Sequence, residues 1–192
     1  MTKQLLTKAS PMLVWSILAL ILIIILMNEF SNFRTGVPTI ASFPASRRKM
    51  VEILQADCAT HTGSDPYTVI DLGSGHGQLA VKIARALPNA KVLGIEISFL
   101  PWLMSFVRQK FFGPHNVTFR RTDFFSYDCS KTDAVVLYTN STIIDRVSQK
   151  LRAELKPNAL VASNEIKLTG DWEPVEAVDT GFFKMKVFVY RQ

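Results

Sequence analysis

The stretch TVIDLGSGHGQLA, Thr68 to Ala80, constrains this chain more than any other. A short apolar run ends on an acid, Asp71, and glycines follow at alternate positions, Gly73, Gly75 and Gly77. Apolar residues then recur at helical spacing from Leu79. A strand that passes through a glycine turn straight into a helix opens a parallel α/β unit. Missing side chains at alternate positions mean either a tight turn or a ligand that approaches the bare main chain.

The chain beyond repeats this alternation. The helix behind the glycines points Leu79, Ala80, Ile83, Ala84 and Leu87 inward and Lys82 and Arg85 outward, and Pro88-Asn89 stops it. Ala90 to Ile97 reads as a second strand, and Ser98 with Pro101 opens a helix that runs to Phe112. NVTFRR is a third strand, followed by Asp123, and Asp133 to Tyr138 is a fourth. Ile143, Ile144, Val147, Leu151 and Leu155 stripe a helix, ALVASNEI forms a fifth strand, and the segments around Thr180-Gly181 read as a hairpin. Five strands separated by helices and closed by a hairpin predict a doubly wound, mostly parallel α/β sheet of seven strands. Such a sheet binds ligands beyond the carboxyl ends of its strands, where the glycine loop lies.

Composition matters most at the amino end. Met12 to Met27 is a 16-residue run without a charge, and Ala9, Ser10 and Pro11 extend it. A bilayer span takes about 20 apolar residues. NEFSNF offers no small-residue cleavage site after this run, so an uncleaved transmembrane anchor is favoured over a signal peptide or a core helix. The expected organisation is an anchor over residues 1–30, a linker and leading helix over 31–66, and the sheet domain over 67–192. Asn28 to Ser46 is rich in Gly, Pro, Ser and Asn and reads as a linker or lid, with Ser46 as a helix N-cap. Arg47, Arg48 and Lys49 oppose the helix dipole there, which suits solvent or anionic headgroups.

Without residues 1–30 the chain holds 20 basic and 15 acidic residues, a net charge of +5. No Arg-rich tract or aromatic ladder accompanies that charge, so no nucleic-acid partner is expected. Cys58 and Cys129 lack metal-ligand spacing and read as free thiols of a reducing compartment. The sequons at Asn116 and Asn140 fall at strand and site edges and read as chance.

Two further acids narrow the ligand. Glu96 stands 19 residues beyond Gly77, at the end of the second strand, where a carboxylate can accept both hydroxyls of a ribose. Asp123 follows the third strand, placed to accept from an adenine amino group. NAD and S-adenosylmethionine (SAM) share adenine and ribose. The G-x-G-x-G spacing, Gln78 where a dinucleotide site prefers Gly or Ala, Asp71 facing a cationic amino group and the final hairpin favour SAM.

VIDLGSGHGQLAVKIA, GIEI and RRTDFF resemble the first three cofactor motifs of class I SAM-dependent methyltransferases. GVP, DLGSGHG, GIEISFLPWL, YTNSTI and LKPNALVASNEI…WEPV, behind one hydrophobic segment, resemble a narrower family. Its members are small membrane-anchored methyltransferases that modify lysines on the mitochondrial adenine nucleotide translocase and the ATP synthase c-subunit, and they have prokaryotic relatives. The chain departs from that pattern at His76 and at LYTNST. The resemblance implies a Rossmann-like methyltransferase domain and SAM contacts at Asp71, Gly73, Ser74, Gly75, Gly77, Glu96, Ile97 and Asp123. It implies a membrane-associated protein substrate met by Tyr138, Asn140 and Trp102, with Phe99 and Trp172 as further aromatic candidates. Glu165 could orient a substrate amine, and no residue stands out as a catalytic base. A lipid or quinone acceptor and a non-catalytic SAM- or nucleotide-binding scaffold are the alternative readings. Since SAM is made inside cells, the domain is expected on the cytoplasmic face of a membrane, with the matrix side of the mitochondrial inner membrane as the second placement.

Overall fold

A computed structural model describes residues 11–19, 22, 23, 26, 42–181 and 183–192. It divides into two units, Met1–Gly36 and Val37–Gln192. In the first, the described residues are helical and solvent-exposed, Met12, Trp15 and Leu22 among them. Among the described residues no helix is long and apolar enough to cross a membrane. Most of the expected anchor, and the linker up to residue 41, lie outside the described residues.

The second unit is built on one sheet. Its strands are β1 (Thr68–Leu72), β2 (Lys91–Glu96), β3 (Val117–Arg121), β4 (Ala134–Leu137), β5 (Leu160–Asn164), β6 (Glu176–Asp179) and β7 (Lys186–Arg191). They lie in the order β3-β2-β1-β4-β5-β7-β6. The first five are parallel, and β7 runs antiparallel to both β5 and β6. Every residue of β4 and β5 is buried, as a sheet covered on both faces requires, and their near-continuous apolar sequences follow from that. The expected alternation and closing hairpin are both present.

Helices cover the two faces: α1 (Pro44–Ala59), α2 (Gln78–Ala86), α3 (Phe99–Phe112) and α4 (Ile144–Glu154). On one face Met50 and Leu54 of α1 and Leu79 and Ile83 of α2 pack with Val69, Val92, Val136 and Ala162. On the other, Val147 and Leu151 of α4 pack with Ile70, Val135, Leu137 and Val161. The leading helix, grouped with the linker in the sequence reading, thus forms part of the packed unit. The chain leaves β1 toward β3 and returns on the other side as β4, so the strand order reverses between β1 and β4. That reversal opens a crevice at their carboxyl ends.

One expectation about α1 changes. Its N-cap is Phe43, which makes no side-chain cap bond, and Pro44 opens the helix. Proline suits the first turn because its missing N–H needs no partner there. Ser46 lies inside the first turn with 0% exposure, and its Oγ has no partner. The cations stay at the surface, where Arg47 donates to Gln78 at the start of α2 and Lys49 and Arg48 pair with Glu52 at 2.7 and 3.6 Å. The i,i+3 and i,i+4 spacings of those two pairs were readable in advance. Elsewhere Asn116 Nδ2 donates to the carbonyls of Ala84, Leu87 and Ala90 at 3.1, 2.9 and 3.0 Å, a structural task that occupies this sequon. Cys58 and Cys129 are free thiols.

Candidate active site

The glycine loop turns where β1 ends. Gly73, Gly75 and Gly77 all sit at positive φ, 73°, 52° and 73°, a region open to glycine at little cost. Gly77 has a second reason: a Cβ there would lie 2.5 Å from the Phe119 ring and 2.8 Å from Ser105 Cβ. Bare main chain lets α2 start against the sheet. A Cβ on Gly73 would meet nothing within 4 Å, so its side faces open space. Gly73 and Ser74 donate their N–H groups to Ile95 O at 2.9 and 2.8 Å, which locks the loop onto β2.

Three expected acids take different places. Asp71 is buried at the end of β1, with Oδ2 unpartnered. Burial pushes its carboxyl up to about 7; a main-chain bond from Ala80 opposes this and the nearby Glu96 charge adds to it. Glu96 is buried on the adjacent strand, and its carboxylate accepts Gly75 N–H on Oε2 and Ser98 N–H on Oε1, both at 2.8 Å. It therefore staples the glycine loop to the start of α3, a task the sequence reading did not assign. Each oxygen keeps further acceptor capacity for a hydroxyl. Asp123 is exposed and caps the 3-10 turn Phe124–Ser126, accepting Phe125 N–H at 2.9 Å. Ile97, between Glu96 and Ser98, leaves an apolar side chain 43% exposed beside the loop.

The candidate substrate residues do not all converge. Tyr138 and Asn140 follow β4 on the crevice side, both half-buried, and Asn140 Oδ1 accepts Thr142 N–H at 3.1 Å. Burial, then the Glu165 charge, push the Tyr138 hydroxyl pKa up, so it stays protonated at neutral pH. Trp102 instead stacks on Phe106 at 5.6 Å and donates to Phe119 O on the sheet edge at 3.4 Å. There it packs α3 against β3. Trp172 is buried against Tyr190 at 5.7 Å and donates to Arg191 O, and Phe99 lies under Arg121 at 5.3 Å.

Sequence reasoning missed the polar atoms that lack partners. Among the described residues, the buried side-chain oxygens and nitrogens without a hydrogen bond belong to Ser46, Asp71, Ser74, Thr139, Asn164 and Glu165. All but Ser46 lie at or just past the carboxyl ends of β1, β4 and β5. Folded proteins rarely leave buried polar groups unsatisfied, and a ligand that supplies the partners is one reason they do. No periodicity marks such atoms, because the deficit depends on what packs around them.

This donor set fits SAM. Asp71 offers an unmet carboxylate oxygen for an amino group, the Gly73 side is open, Ser74 has a free hydroxyl, and Ile97 presents an apolar surface for an adenine. Fold and site together define a SAM-dependent methyltransferase of class I. A model of the ANTKMT methyltransferase domain matches residues 71–176, more than half of the chain, and the chain belongs to that family.

Solved structures agree. An RNA methyltransferase from Salinibacter ruber in complex with S-adenosyl-L-homocysteine is 25% identical, with a TM-score of 0.68 over 79% of this chain and 93% of that one. The magnesium protoporphyrin IX methyltransferase of Synechocystis PCC 6803 with bound SAM is 16% identical, with a TM-score of 0.56 over 77% and 80%. A precorrin-6y C5,15-methyltransferase from Geobacter metallireducens GS-15 is 13% identical, with a TM-score of 0.53 over 75% and 88%. The last two share the fold alone. No curated protein matches the chain significantly.

Proposed function

We propose that this enzyme is a membrane-tethered protein methyltransferase that acts on lysine amino groups. The carrying observation is the run of unpartnered buried polar atoms that continues from the cofactor cradle at Asp71 to the ends of β4 and β5. Membership of the ANTKMT family, and the resemblance of this chain's motifs to lysine methyltransferases of membrane proteins, support a protein substrate. The uncharged run Met12 to Met27 supports a tether, and the cellular source of SAM supports a domain on the cytoplasmic face or the mitochondrial matrix side.

When bound, SAM supplies a methyl group on a sulfonium, open to in-line displacement by a lone pair. The residues of the chain have the task of holding and desolvating the two partners. Asp71 can pair with the amino group of the methionine part, and Glu96 can accept from the ribose while holding Gly75 in place. A half-buried site around Tyr138 disfavours the ammonium form of a lysine and so helps to expose its lone pair. Tyr138, held protonated, serves as a hydrogen-bonding group and not as a base at neutral pH.

Native membranes incubated with methyl-labelled SAM and the purified full chain test this reading. Label is expected in protein and, after acid hydrolysis, in methylated lysine. Label in a solvent extract would indicate a lipid or quinone acceptor, and label in RNA a nucleic-acid one. SAM binding without transfer to any fraction would leave a scaffold.

A further inference from the structure

We propose that the corner where β4 and β5 end, made of Thr139, Asn164 and Glu165 with Tyr138 beside it, is the binding site for the primary amine of the acceptor; this rests on the lysine reading above. Asn164 closes β5 with 0% exposure, yet neither its Oδ1 nor its Nδ2 has a partner. The next residue, Glu165, sits at φ 68°, in the left-handed region that side chains other than glycine rarely adopt. Its Oε1 is buried without a partner, as is Thr139 Oγ1 on the neighbouring strand end. Backbone strain and unmet polar atoms in consecutive residues mark a functional corner, since neither serves stability.

Register places Tyr138 and Asn164 beside the cradle, and Thr139 and Glu165 follow them past the strand ends, Glu165 near enough for its charge to act on the Tyr138 hydroxyl. Asp71 pairs with Val136, and Val136 with Ala162, across β1, β4 and β5. Side chains alternate between faces, so the next positions on the Asp71 face are Tyr138 and Asn164. Two strand spacings, about 10 Å, separate the β1 and β5 columns, room for an acceptor chain between them. The chemistry also selects a class. A carboxylate, an amide oxygen and a hydroxyl can accept the three N–H bonds of an incoming ammonium. It then gives one proton to solvent as the site desolvates it, so that two N–H bonds stay held and the lone pair faces the methyl group. Tyr138 stays protonated beside Glu165. A lipid hydroxyl offers one donor and a quinone none.

The test uses the full chain, native membranes and labelled SAM, with n-butylamine as competitor and 1-pentanol as its neutral counterpart. n-Butylamine is expected to inhibit transfer, and 1-pentanol to have no effect. Glu165→Gln should raise both the acceptor KM and the n-butylamine inhibition constant at least tenfold, with SAM affinity by calorimetry within twofold of the parent. Glu165→Asn, which tolerates the left-handed backbone, should do the same. If both variants lose thermal stability, Thr139→Val, close in shape, carries the test with an expected threefold rise in acceptor KM. Label in protein lysines with unchanged KM in these variants overturns this inference alone, and a parallel loss of SAM affinity overturns it by assigning the corner to the cofactor. Label confined to lipid or RNA overturns it together with the lysine reading.

Discussion

The two ends of the sheet treat polar groups in opposite ways. At the amino end a cavity of about 480 Å³ is lined by Asp57, His61, Tyr67, Asp133, Lys156 and Arg191. There the charges are matched: Asp57 accepts from Tyr67 and Arg191, and Asp133 accepts from Lys156 at 2.6 Å and from Thr68 N–H and Oγ at 2.7 Å. At the carboxyl end Asp71, Ser74, Thr139, Asn164 and Glu165 each keep a buried atom without a partner. One end is wired for stability and the other keeps its bonding capacity for ligands. A sizeable polar cavity is therefore not by itself the working region; the unsatisfied one is.

Two aspartates state the contrast most sharply. For Asp133, burial alone would raise the carboxyl pKa, but the bonds from Lys156 and Thr68 together outweigh it and hold the group below its ordinary value. A depressed value adds stability that is present above the ordinary carboxylate range and lost as pH falls through it. For Asp71 the sign reverses. With an ordinary value of 3.8 and a folded one near 7, its stability contribution is full below the lower value and drains away as pH rises to the higher one.

The largest expected effect breaks the matched end. Asp133→Ala removes the acceptor of the Thr68 N–H and Oγ and the partner of Lys156, and should lower unfolding free energy at pH 7 by about 3 kcal/mol, read from urea denaturation. A loss of only a few tenths would show that the amino-end network does little. Next, Asp71→Asn removes a buried charge and should raise the stability of the ligand-free protein at pH 8 by about 2 kcal/mol, with little change at pH 4. The same variant should bind SAM poorly; a stability loss at pH 8 would contradict the contrast. The smallest effect sharpens the cradle: Glu96→Ala should weaken SAM binding by about 1.5 kcal/mol in calorimetry, through lost charge-assisted bonds and a looser Gly75. Unchanged affinity would remove Glu96 from the site.

Much of this was legible in the linear chain. The apolar stripe from Leu79 to Leu87 and the buried runs of β4 and β5 followed from period and β-branched content, because helix and strand repeat at 3.6 and 2 residues. The cradle followed from glycines whose positive φ few other residues tolerate. Residues whose role depends on a neighbour distant in sequence were less readable. Trp102 carried an aromatic signal yet serves the packing of α3 against β3, and Ser46 had cap chemistry yet lies inside a helix that Pro44 begins.

The order of residues by itself determined the alternation of strands and helices, the glycine turn and the acids that close β1 and β2, since each is a local consequence of dihedral freedom and side-chain period. Only the tertiary structure decided which acids are occupied and which are left wanting. Glu96 received two main-chain donors from segments 21 residues back and 2 residues ahead, while Asp71 Oδ2, Asn164 and Glu165 Oε1 received none. Hydrogen-bond supply is set by what the fold brings within about 3 Å, a distance no linear pattern encodes.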